Sequence, residues 1–212
     1  VLKIVGIIGG LAIVAGLLFA YMQPKIDAGN NAKRSALLAV RPEDHLIGDT
    51  TKAKALLIEY SDMQCPACKA YSTAVTEIVA AHKDTLAFVY RHFPLYPTPH
   101  KNSIVAAQAT EAAQKQDKFW ALLDIMFQKQ NEWEFVDDPK TFFIDYAISL
   151  KLNIEQFKTD MVSDTTQQRV MLDRKNAADL DLHSTPTFFL NGKQITPNGP
   201  DALKQLIEDA LK

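Results

Sequence analysis

Apolar positions along this chain fall into three kinds of run, and each kind predicts a different element. From Ile4 to Met22 there are 19 consecutive uncharged, almost wholly apolar residues, with Lys3 before them and Lys25 after. A helix of that length reaches about 28 Å at about 1.5 Å per residue, close to the roughly 30 Å hydrocarbon core of a bilayer. Gly6, Gly9, Gly10 and Gly16 weaken a helix in water but are common in membrane helices. The run therefore predicts a single transmembrane anchor over 4–22. A cleaved leader is the competing reading, although its apolar stretch usually spans only about 7 to 15 residues. Charge does not fix the orientation, because Lys3 on one flank is answered by Lys25, Lys33 and Arg34 on the other.

The second kind of run is short and bounded by polar corners, and it predicts strands over 54–60 (KALLIEY), 86–93 (LAFVYRHF) and 187–190 (TFFL). Asn191-Gly192 is a two-residue hairpin signal and leads into a partner strand over 193–195. The third kind recurs at helical spacing. It predicts helices over 65–82, over an alanine-rich stretch at 101–130, from Asp138-Pro139 through Leu150, and over 153–161, 165–180 and 200–211. Pro24, Gly29, Asn30, Asn31 and Pro42 mark 23–43 as a linker with a short helical turn near 32–40. The resulting order is β, α, β, a block of helices about 80 residues long, then a β-hairpin and α. This divides the chain into an anchor (4–22), a linker (23–43), a first core segment (44–98), a helical insertion (99–182) and a second core segment (183–212).

Composition narrows the chemistry. With 23 basic against 25 acidic side chains and a net charge of −2, no nucleic-acid partner is expected, since phosphate binding needs a concentrated basic excess. The 212 residues contain two cysteines, Cys65 and Cys68, three positions apart. That is no disulfide framework, and a structural zinc site would need about four ligands, for which there is no second Cys or His pair at suitable spacing. A redox pair remains.

An ordinary thiol with pKa near about 8.5 supplies little thiolate at neutral pH. A Cys at the start of a helix does better, because free N–H groups and the positive end of the helix dipole stabilise the negative sulfur. Pro66 suits the first helical position, where its missing N–H costs nothing. Cys68 then lies one turn on, on the same face, which makes Cys65 the exposed attacking sulfur and Cys68 the shielded resolving one.

The segment Leu57-Ile58-Glu59-Tyr60-Ser61-Asp62-Met63-Gln64-Cys65-Pro66-Ala67-Cys68 resembles the active-site segment of DsbA-like thiol–disulfide oxidoreductases of the thioredoxin superfamily, most closely the membrane-anchored DsbA and BdbD-type proteins of bacteria. Arg91-His92-Phe93-Pro94-Leu95, the helix at 102–120 and Ser184-Thr185-Pro186-Thr187-Phe188-Phe189-Leu190-Asn191-Gly192 carry the likeness through to residue 212. The resemblance implies an α/β thioredoxin-like fold with an inserted all-helical domain, here preceded by one transmembrane helix. It implies that Pro186 is a cis-proline facing the cysteines, that Thr185 before it binds substrate backbone, and that Glu59 is a buried acid moving protons to and from Cys68. Ala67 departs from DsbA, which has a His there that stabilises the thiolate.

The implied function is donation of disulfides to exported proteins outside the cytosol, from an enzyme held at the cell membrane by its N-terminal helix. The implied partners are thiol-containing exported polypeptides and a quinone-linked, DsbB-like membrane reoxidant. A monomer is expected, with no cofactor and no resident metal. Two alternatives stay open: an extracytoplasmic reductase or isomerase, and a metal-binding or metal-delivery protein using Cys65, Cys68 and a His. His92, His100 and His183 read as capping or surface residues, and His45 and His82 carry no argument.

Overall fold

A computed structural model describes residues 18–212 together with the backbone of 2–17, and it divides into two units, one ending at Ala39 and one over Val40–Lys212. The predicted anchor over 4–22 lies for the most part outside the residues whose side chains are described, among which no helix is long and apolar enough to cross a membrane. The first unit is one helix, α1 (Leu2–Leu38), with Pro24 inside it. The linker segment is thus helical as far as Leu38 rather than only in a short turn near 32–40. Its helix-favouring alanines, lysines and leucines outweigh the local break signals of Gly29 and Pro24.

The second unit is built on a five-stranded sheet in the order β1-β3-β2-β4-β5. The strands are β1 (His45–Ile47), β2 (Ala55–Ser61), β3 (Leu86–His92), β4 (Thr187–Leu190) and β5 (Lys193–Ile195). Only β2 and β3 run parallel; β1 lies antiparallel on β3, and β4 and β5 form the antiparallel hairpin that Asn191-Gly192 foretold. Asn191 and Gly192 both take positive φ, 50° and 77°, as that tight turn requires. β2 and β3 are covered on both faces, so they read in the sequence as continuous apolar runs. β1 went unpredicted: three residues beside Pro42, half exposed, carry too short a pattern to register.

Helix α2 (Pro66–Ala81) follows β2 directly, and α9 (Pro200–Leu211) packs against both. Between β3 and β4 lie α3 (Ser103–Gln114), α4 (Phe119–Gln128), α5 (Gln130–Trp133), α6 (Lys140–Ser149), α7 (Ile154–Met161) and α8 (Asp164–Asp179). The expected single helix over 101–130 is therefore three. The chain breaks at Asp117, whose φ of 57° is incompatible with a right-handed helix. Five buried alanines on α3 (Ala106, Ala107, Ala109, Ala112 and Ala113) let α4, α7 and α8 approach its backbone closely. Trp133, Phe143 and Phe157 fill the space that remains. Asn153 and Ser163 cap α7 and α8 by accepting from the N–H groups of Gln156 and Thr166.

Candidate active site

The two cysteines meet the sheet where β2 ends. Asp62-Met63-Gln64 form the corner, closed by the Cys65 N–H donating to the Asp62 carbonyl at 3.0 Å. Cys65 is the N-cap of α2 with Pro66 as its first helical residue, and both sulfurs are free thiols. Cys65 is 7% exposed and Cys68 fully buried. The Cys65 thiol is lowered to about 5, chiefly by the hydrogen bond from the Cys68 thiol, with further help from the N–H groups of Ala67 and Cys68 and against the pull of burial. Burial, reinforced by the neighbouring Cys65, pushes Cys68 far up. The pair is thus one acidic and one protonated sulfur, as expected of a helix N-terminus and a buried position behind it.

The segment before β4 approaches from the other side. Thr185–Pro186 is a cis peptide bond, and the Thr185 carbonyl oxygen accepts from the Cys65 thiol at 3.4 Å. Beside Pro186 lies a groove of about 240 Å³ lined by Tyr71, Ser184, Phe188, Ile195 and Pro197. Tyr71 shapes it by donating to the Pro197 carbonyl and accepting from the Gly199 N–H, at 2.8 and 2.9 Å. Beneath the cysteines, Glu59 pairs across the sheet with Tyr90 and Phe188 and is almost completely buried. Burial raises its carboxyl to about 7, and the proximity of Cys65 adds to this. A largely apolar cavity of about 340 Å³ reaches Glu59 between Val75, Val79, Trp120 and Phe127. All five residues expected from the sequence (Glu59, Cys65, Cys68, Thr185 and Pro186) therefore lie in one region, drawn from β2, α2 and the turn into β4.

A raised carboxyl makes a measurable prediction. From the ordinary value of 4.5 up to about 7, the folded protein keeps a proton on Glu59 that the unfolded chain has lost. Stability contributed by this group is therefore present at low pH and lost as pH rises through that window. At about 1.4 kcal/mol per unit the loss is roughly 3 kcal/mol. Urea unfolding should show Glu59→Gln gaining on the native protein by roughly that amount between pH 4 and pH 8. A difference that stays constant across that range would mean that Glu59 titrates normally.

Two histidines expected as capping or surface residues, His92 and His100, are buried. The ring nitrogen of His100 lies 2.7 Å from a carboxylate oxygen of Asp62, within the cysteine corner. His92 at the end of β3 and His45 on β1 both bond the same oxygen of Glu111, at 3.0 and 2.7 Å. His183 is exposed, as expected, beside Asp181. Neither buried cluster has a sequence signature, since its members are brought together from β1, β3 and α3 or across 38 residues. By geometry His45, His92 and Glu111 are the described side chains that could hold a cation together. Against the pull of burial, the hydrogen bonds of His45 and His92 hold the Glu111 carboxyl far below its usual range, and Arg169 stands 4.0 Å away as a positive charge already in place.

Comparison with known proteins agrees with this geometry. Residues 41–209 match the Thioredoxin family (Thioredoxin_4). A 164-residue stretch is 38% identical to the Na(+)/H(+) antiporter NhaA 1 of Mycobacterium sp. (strain KMS), covering 74% of this chain and 26% of that protein. The chain thus spans about a quarter of the length of that relative. It is 28% identical over 219 residues to the "Probable disulfide bond formation protein D" of Bacillus cereus, covering 100% of this chain and 96% of that one. Among solved structures, oxidised BdbD from Bacillus subtilis superposes with a TM-score of 0.68 at 25% identity, over 80% of this chain and 93% of that one.

Proposed function

This chain belongs to the thioredoxin family, in its DsbA-like branch, and from that premise we propose that it is a thiol–disulfide oxidoreductase donating disulfides to exported proteins through Cys65 and Cys68. The observation that carries this reading is the division of labour between the sulfurs: an acidic Cys65 at the helix start and a protonated Cys68 behind it. A stable Cys65 thiolate is a good leaving group and stabilises the reduced form, and both properties favour an oxidant.

The cycle starts from the Cys65–Cys68 disulfide. A substrate thiolate attacks Cys65 Sγ; the enzyme S–S bond breaks and Cys68 departs as a thiolate. Glu59, its carboxyl raised to about 7, gives Cys68 its proton and takes over the negative charge, because the buried Cys68 thiolate is the stronger base of the two. A second substrate thiolate then attacks the substrate sulfur of the mixed disulfide and expels the Cys65 thiolate. The substrate has lost two electrons and the enzyme dithiol has gained them. A quinone-linked, DsbB-like membrane partner would take them back. The substrate backbone lies along the Thr185–Pro186 segment, with side chains in the groove beside Tyr71 and Pro197. An anchor over 4–22 would hold this domain at the outer face of the cell membrane as a monomer and raise its effective concentration near the reoxidant.

Reduction potential decides between donor and reductase. Equilibration with glutathione should place the couple well above thioredoxin's roughly −270 mV, toward the roughly −120 mV of DsbA. A value at or below thioredoxin's would overturn the donor reading.

A further inference from the structure

Apart from the Cys68 thiol, Ala67 leaves the motif without a charged side chain that could steady the thiolate, yet a histidine reaches the corner by another route. His100 stands just before α3, at the entrance to the helical insertion, and its Nδ1 is 2.7 Å from Asp62 Oδ2. Asp62 is the residue through which the corner is wired. Its carbonyl accepts the Cys65 N–H at 3.0 Å, and its own N–H points at Cys68 Sγ at 3.5 Å. Its carboxylate also accepts the N–H of Gln64 at 2.8 Å and that of Leu95 at 2.9 Å. The Asp62 side chain is fully buried, and that of His100 is 11% exposed.

We propose, resting on the oxidoreductase reading above, that His100 is a positioning residue for the redox pair. Its protonation cancels the Asp62 charge beside the sulfurs, stabilises the Cys65 thiolate and makes the couple more oxidising at acidic than at alkaline pH.

The electrostatics follow from the groups that face the ring. These are Asp62 from the β2–α2 corner, Cys65 at the start of α2, and Glu134 just after α5. With His100 neutral, the Asp62–His100 pair carries one negative charge at the place where reduction of the disulfide creates another. Like charges in a poorly solvated corner repel, and the reduced form is disfavoured. With His100 protonated the pair is neutral and that repulsion is gone. The hydrogen bond to Asp62, and beyond it the charges of Cys65 and Glu134, raise His100 above the ordinary histidine range, so the protonated form persists toward neutral pH. The helical insertion thereby supplies, through the residue at its entrance, a charge that the Cys-Pro-Ala-Cys motif lacks.

Linkage makes this testable without a mutation. If protonated His100 favours the thiolate, then reducing the disulfide must favour protonation of His100 by the same factor. NMR titration of the His100 ring in the oxidised and the reduced protein should therefore show the higher pKa in the reduced form, by about one unit, equivalent to about tenfold. Equal pKa values in the two forms would overturn the proposal.

The variant His100→Asn keeps a donor near the Nδ1 position and removes the titratable charge. Its equilibrium constant with glutathione should be about tenfold less oxidising than the native protein's at pH 6, with the two converging by pH 8.5. The thiolate absorbance of Cys65 should titrate higher in the variant. A uniform offset at every pH, or no offset with the fold intact, would mean that His100 only braces the corner. Should the variant fail to fold, the NMR comparison on the native protein still decides. Failure of the native protein to oxidise a dithiol peptide would sink the donor reading alone and leave this linkage measurable.

Discussion

Cys68→Ser will accumulate substrates on Cys65 as mixed disulfides, and Cys65→Ser will exchange no faster than uncatalysed thiols. Both outcomes follow from where the corner puts the sulfurs. Cys65 is the less buried of the two, 7% exposed against a fully buried Cys68, and is lowered to about 5, so at neutral pH it is almost wholly thiolate and its disulfide is readily attacked. Serine there supplies no anion and forms no disulfide. Cys68 is buried and held protonated, so an incoming substrate cannot reach it. Its removal blocks resolution from within but leaves the Cys65 thiolate able to attack a substrate disulfide, holding one half as a mixed disulfide and releasing the other as a thiolate. The serine hydroxyl also retains a donor toward Cys65, which Cys68→Ala would not. The Cys65 thiol should therefore titrate lower in Cys68→Ser than in Cys68→Ala. Non-reducing gels of exported proteins with each variant, alongside thiolate absorbance against pH, check all of this. Equal capture by Cys65→Ser would show that either sulfur can attack and overturn the assignment.

Arg91→Leu is expected to be the most damaging substitution away from the cysteines, costing about 3–5 kcal/mol. Arg91 lies on β3 with its guanidinium wholly buried. It grips Asp44 with two hydrogen bonds, Nε to Oδ1 at 3.0 Å and Nη2 to Oδ2 at 2.7 Å, and Nη1 donates to Tyr60 Oη at 2.7 Å and to Asn176 at 3.1 Å. One side chain thereby ties the segment before β1, the strand β2 and the helix α8 to the sheet. Leucine leaves the buried Asp44 carboxylate with Arg41 as its remaining cation among the described partners. It also strips donors from Tyr60 and Asn176. At roughly 2–4 °C per kcal/mol for a domain of this size, the melting temperature should fall by roughly 10 °C. The double variant Asp44→Leu/Arg91→Leu should cost less than the single one, because no unpaired charge stays behind. A single-variant loss under about 1 kcal/mol would show that the pair is solvated and weak.

The parts of the site that were legible in the sequence are those fixed by local geometry. Cys65, Pro66 and Cys68 read as a helix start because capping and proline placement act within one turn, and α2 begins at Pro66. The hairpin at Asn191-Gly192 was legible for the same reason. By its own pattern Glu59 read only as an acid in an apolar strand, its role coming from the resemblance, since strand alternation left both faces open until β2 was seen covered on each. Asp62 was passed over as part of a polar corner, and His100 as a cap. Nothing in a separation of 38 residues signals that their side chains will meet. The break at Asp117 was likewise invisible in a stretch whose periodicity continues across it.

What the sequence determined by itself was the order of the longer elements, though neither β1 nor the breaks that divide 101–130, the placing of a helical block between two stretches of strands, and a closely spaced cysteine pair at a helix start. Each of these is encoded in neighbouring residues, through periodicity, capping and turn preference. Tertiary structure alone decided which polar residues became buried partners: His100 with Asp62, His45 and His92 with Glu111, Arg91 with Asp44. The physical reason is that burial and charge pairing depend on distance in space. The segments that supply those charges come together only after the sheet has formed and the helices have closed over it.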